Sequence, residues 1–143
     1  HFIYDPYEID CFGAGTIDIF VPYKLYNLPQ QYRNNVLFCA CMRGDEVIIP
    51  QPSYVCYEPI TRLAGGVPVP VRTYAKDEFK LVPEELEKHI TDKSKVLVLP
   101  YPNNPTGGIM EKEDLEKIAK IVKKHDLLVL SDEIKLYSSL YSS

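Results

Sequence analysis

Apolar positions follow two rhythms along this chain, and their alternation predicts its fold. Glu46–Pro50 (EVIIP), Lys95–Leu99 (KVLVL) and Leu127–Leu130 (LLVL) are short, unbroken apolar runs. That is the pattern of strands buried on both faces. Helical patterns lie between them. Tyr54–Ala64 carries Ile60, Leu63 and Ala64 and stops at Gly65-Gly66, with Pro59 inside it expected to bend or shorten the helix. Pro83 opens the next helix, followed by Glu84 and Glu85 where carboxylates favour the positive end of the dipole; Leu86 and Ile90 then fall on one face. Glu111–His125 has the strongest pattern, with Leu115, Ile118, Ala119 and Val122 on one face and lysines on the other. Val67–Val71 (VPVPV) is β-branched, but its two prolines confine it to a sheet edge or an irregular strand.

Strands apolar on both faces and separated by helices imply a mainly parallel sheet covered on its two sides. The predicted fold class is therefore α/β, part of a three-layer sandwich, for residues 42–135. Residues 1–41 read differently. They hold many aromatic and few charged residues, are interrupted by Pro6, Pro22 and Pro29, and show no sustained period of 2 or 3.6. The pattern assigns no element there and leaves the structure of residues 1–41 open. The serine-rich stretch 136–143 is a tail of a third character.

Composition narrows the function classes. A formal net charge of -4 gives no electrostatic reason for a nucleic acid or an anionic membrane as partner. No apolar run is long enough to span a bilayer. The first residues lack the layout of a secretory leader, and they lack an initiator methionine. Cys11, Cys39, Cys41 and Cys56 form no CxxC pair and share no metal-ligand spacing with His1, His89 or His125. Reduced thiols in a cytoplasmic protein, and no metal site, are the expectation.

In open parallel sheets, ligands bind beyond the carboxyl ends of the strands. Three such ends carry unusual residues here: Gln51-Pro52-Ser53-Tyr54, then Pro100-Tyr101-Pro102-Asn103-Asn104-Pro105-Thr106-Gly107-Gly108, then Ser131-Asp132-Glu133. Each also has a structural reading. Tyr54 sits where a half-buried ring would start a helix, and the proline-asparagine-glycine run is turn chemistry by composition. Asp132 resists that treatment most, because a carboxylate after a buried strand costs several kcal/mol unless it is paired or hydrogen-bonded.

These segments, together with Met42-Arg43-Gly44-Asp45 before the first strand and Ala64-Gly65-Gly66 after the first helix, resemble the class I/II (fold-type I) pyridoxal-phosphate aminotransferases in order and spacing. PNNPTG followed one helix and one strand later by SDEI is the specific part. The resemblance implies the central part of the large cofactor-binding domain, and pyridoxal 5'-phosphate as cofactor. It implies that Asp132 faces the pyridine nitrogen, that Asn104 donates to the ring's phenolic oxygen, and that Tyr54 stacks on the ring. It makes Asn104-Pro105 a candidate cis peptide. Amino acids and 2-oxo acids are the implied substrates, and a homodimer the implied assembly of the intact protein.

The departures are as informative. Lys135 stands where the family has a tyrosine. It lies three residues after Asp132, whereas the family's cofactor-bonding lysine comes from a later strand, so no residue of this chain is assigned that role. The family's phosphate-gripping turn is expected about five helical turns before Gly44. Tyr26–Gln31 does not match it, and Gly13-Ala14-Gly15-Thr16 lies further upstream. The expectation is a piece of an aminotransferase, from a truncated or frame-disrupted reading, that is inactive alone. The alternatives are a non-catalytic remnant or partner-binding α/β scaffold, or a segment of a related pyridoxal-phosphate lyase.

Overall fold

The computed structural model describes residues 16–21, 24–29 and 42–132. In chain order its elements are β1 (Thr16–Val21), β2 (Lys24–Pro29), β3 (Glu46–Gln51), α1 (Tyr57–Leu63), β4 (Val67–Arg72), a 3-10 turn (Ala75–Asp77), α2 (Pro83–His89), β5 (Ser94–Leu99), α3 (Lys112–His125) and β6 (Leu128–Asp132). They build one six-stranded sheet in the order β2-β1-β6-β5-β3-β4. The run from β6 to β4 is parallel throughout. β1 pairs antiparallel with both β2 and β6, placing Ile17 opposite Asp132. Two strands thus lie in the region whose structure the sequence pattern left open.

The unbroken apolar runs are explained by burial on both sheet faces. Ile48, Leu97 and Val129 join Leu86, Ile118, Ile121 and Val122 in the core under α2 and α3. Val47, Ile49, Val96, Val98 and Leu130 face the other way and pack with Tyr57 of α1. Neighbours along one strand alternate faces, so where a sheet is covered on both sides successive positions are apolar, and the polar residues of β5 and β6 fall at the strand ends. Each fully buried Val, Leu or Ile contributes roughly 1.5–3 kcal/mol.

Prolines and glycines set the element limits. α1 begins at Tyr57 rather than Tyr54. Pro59 therefore lies in the first turn, where its missing N–H would have had no intrahelical partner. The same helix inserts Tyr57 and Thr61 into the core and leaves Leu63 exposed, so its buried face differs from the predicted one. It ends in a Schellman arrangement: the Gly66 N–H donates to Thr61 O and the Gly65 N–H to Arg62 O, with Gly65 at φ +85°. β4 is the edge strand its prolines require. Val67 donates to Asp45 O at 2.8 Å, which turns the donorless nitrogens of Pro68 and Pro70 to the open side. Glu111 caps α3 in a reciprocal box with Asp114.

Candidate functional site

Parallel topology brings the carboxyl ends of β3, β5 and β6 to one edge of the sheet. Asp132 closes β6 there and is buried, 5% exposed. The Tyr57 hydroxyl donates to its Oδ2 at 2.6 Å. A short phenol-to-carboxylate bond of this kind offsets part of the cost of burying the charge. Tyr57 in turn meets Tyr54 edge to face, with ring centroids 5.8 Å apart at 80°. Tyr54 is 39% exposed, at the mouth. Tyr54 and Asp132 therefore belong to one connected group, and Tyr57 is the link.

The loops around this group are braced. The Gln51 carbonyl accepts from the Thr73 N–H at 2.7 Å and the Thr73 hydroxyl at 2.9 Å. The Gln51 side chain accepts from Ser53 N–H and donates to Glu58 Oε1. In the loop after β5, Asn103 is buried and its Nδ2 donates to Pro52 O at 2.7 Å and to Thr106 Oγ1 at 2.9 Å. Asn104 stands next to it and is exposed. Asn104-Pro105 is cis, as are Gln51-Pro52 and Tyr101-Pro102. Tyr101 anchors the base of the loop by donating to Phe79 O at 2.9 Å, and burial pushes its phenol up to about 12. Gly107 takes φ +71°, a left-handed turn that favours glycine.

The structure thus joins Tyr54 to Asp132 and places Asn104 on the neighbouring loop, tied back to Pro52 through Asn103. Sequence reasoning missed Tyr57 and Asn103. A buried tyrosine at a helix start announces that its hydroxyl needs a partner, but nothing in the text points 75 residues ahead to Asp132. Lys135, Glu133, Ile134, Gly13–Gly15, His1, Cys11, Cys39 and Cys41 lie outside the described residues. Cys56 is a free thiol, and no metal-binding cluster occurs among the described residues. No helix among them is long and apolar enough to cross a membrane.

A mainly parallel sheet with an aromatic, an amide loop and a buried carboxylate at its carboxyl edge is the arrangement of an α/β ligand-binding domain. Residues 30–140 match the family model for aminotransferase class I and II. The chain belongs to that family. It is 50% identical over 94 residues to the aromatic-amino-acid aminotransferase 2 of Thermococcus litoralis, covering 66% of this chain and 24% of the relative. It is 40% identical over 131 residues to the aspartate aminotransferase of Bacillus sp. strain YM-2, covering 92% of this chain and 30% of the relative. The crystal structure of an aromatic aminotransferase from Pyrococcus horikoshii superposes with a TM-score of 0.70 at 42% identity, over 83% of this chain and 30% of that one. The chain therefore spans about a quarter to a third of the length of these relatives.

Proposed function

We propose that this chain supplies part of the pyridoxal 5'-phosphate cradle of an aminotransferase, with Tyr54, Asn104 and Asp132 as the cofactor-holding residues. The observation that carries the reading is the buried Asp132 at a strand end, bonded to Tyr57, whose ring meets the partly exposed Tyr54 edge to face. That donor set fits a flat, cationic heteroaromatic ring. Asp132 would pair with the protonated pyridine nitrogen, Tyr54 would cover a ring face, and the Asn104 amide would donate to the phenolic oxygen. When bound, the cofactor acts as an electron sink for the substrate's α-carbon. Asp132 serves that chemistry by holding the proton on the ring nitrogen.

Residues 42–135 are read as a partial cofactor-binding large domain. The aminotransferase family supports amino acids and 2-oxo acids as substrates of the intact protein; a homodimer as its assembly and the cytoplasm as its compartment are part of the same proposal. This chain alone is proposed to bind the cofactor without turnover, since no residue in it is assigned the covalent attachment. Pyridoxal 5'-phosphate trapped stoichiometrically on Lys135 by borohydride would overturn that part.

Titration calorimetry with pyridoxamine 5'-phosphate tests the site. This form carries an amine in place of the aldehyde and does not condense with surface lysines. Asp132→Ala is expected to weaken binding at least about a hundredfold, the scale of a lost buried charge pair. Equal affinity would remove Asp132 from the site.

A further inference from the structure

We infer that Asn103 is a positioning residue: its side-chain amide locks the loop after β5 to the loop after β3, and so sets where Tyr54 and Asn104 stand relative to each other. The inference rests on the cofactor reading above and deepens it.

Asn103 is 4% exposed, and both hydrogens of its Nδ2 are used. One bond stays within its own loop, to Thr106 Oγ1; the other crosses 51 residues of sequence to Pro52 O. The loop closes without the second bond. The Asn103 N–H donates to Gly108 O at 2.9 Å, Gly107 N–H donates to Asn103 O at 2.7 Å, and Gly108 N–H donates to Thr106 Oγ1. The bond to Pro52 is therefore surplus to forming the loop; it fixes a neighbour.

That neighbour is the segment leading into Tyr54. Gln51 already ties it to β4 through Thr73 and to α1 through Glu58. Asn103 adds the tie to the β5 loop. The amide's orientation follows from its partners. A carbonyl only accepts, so nitrogen must face Pro52. Oδ1 is left buried without a partner among the described residues, so donation dominates the placement. Asn104 follows directly in sequence. One side chain thus couples the two loops that carry the ring-stacking tyrosine and the ring-oxygen donor.

The test is hydrogen exchange by mass spectrometry on the 143-residue chain, followed by pyridoxamine 5'-phosphate titration. Asn103→Asp keeps the shape but turns an acceptor toward Pro52 O. It is expected to speed exchange in both segments, 53–57 and 103–108. Thr106→Val, which removes the two bonds within the loop to Thr106 Oγ1 and leaves the bond to Pro52, is expected to speed exchange in 103–108 alone. Asn103→Asp should weaken pyridoxamine 5'-phosphate binding about tenfold, the scale of a lost buried hydrogen bond. Ser94→Ala, which removes part-buried bonds to Glu46 and Thr91 at the opposite sheet edge, should leave affinity unchanged. Asn103→Ala removes the donor without adding charge and serves if the aspartate variant does not fold. Exchange changes confined to 103–108 in the Asn103 variants would overturn the inference. So would unaltered affinity in them while Asp132→Ala loses it, and the site reading would survive. If the parent chain binds no pyridoxamine 5'-phosphate, the site reading fails, and the exchange pattern still decides the coupling.

Discussion

The Tyr57 hydroxyl lies 2.6 Å from Asp132 Oδ2, joining the first turn of α1 to the last residue of β6 across 75 positions of sequence. The tyrosine ring fills the core between α1 and the sheet while its oxygen reaches the edge where the site is proposed. One side chain therefore serves packing and site geometry together.

Removing that oxygen should be costly. Tyr57→Phe keeps the ring and strips a donor from a buried carboxylate, with an expected loss of about 1.5–3 kcal/mol, as for hydrogen bonds to charged groups. Urea unfolding of Tyr57→Phe, Asp132→Asn and the double variant measures the coupling. A coupling energy between about 0.5 and 3 kcal/mol is expected. Additive losses would show that the two residues do not act as a pair.

Alkaline pH should unlock the β5 loop. Burial raises the Tyr101 phenol from 10.0 to about 12. Between those values the unfolded chain has released a proton that the folded chain keeps, so stability falls as pH rises. The contribution is fully present below about pH 10 and is lost on passing through about 12, a change of roughly 2–3 kcal/mol. Lys80 and Lys88 are also raised, by carboxylate neighbours, and act in the same direction. Comparison with Tyr101→Phe isolates the phenol. The stability gap between parent and variant, followed by denaturant midpoints from pH 9 to 12, should shift steadily in the variant's favour. A gap independent of pH would contradict the assignment.

Pro68 and Pro70 should keep the outer edge of β4 from pairing. Pro68→Val and Pro70→Val together place two N–H donors on the open side of an edge strand, a known route to strand-to-strand association. Static light scattering should show concentration-dependent growth in the double variant. An unchanged scattering profile would mean that another feature guards the edge.

Legibility in the sequence followed burial. Val47, Ile48 and Ile49 could be read as a buried strand because both sheet faces are covered, so no polar residue interrupts the run. The limits of α2 and α3 were visible in Pro83 and the acidic residues that open each helix. β1 and β2 were not visible. They join the sheet by antiparallel pairing beyond β6, and their text gives neither period. α1 is shortened, as Pro59 suggested, by a start late enough to hold the proline in the first turn; its buried face was not legible, because Tyr57 and Thr61 carry it. Of the candidate site, the strand-end residues Tyr54 and Asp132 were legible, since topology alone directs them to one edge. Tyr57 and Asn103 were not, because their meaning lies in partners 75 and 51 residues away.

The most direct test is the protonation state of the cofactor ring beside Asp132. Pyridoxamine 5'-phosphate labelled with 15N in the ring is added to the chain at a pH where the free compound has lost its ring proton. The 15N shift should report a protonated nitrogen with the parent chain and a deprotonated one with Asp132→Asn. An identical shift in both would contradict the pairing of Asp132 with the ring nitrogen.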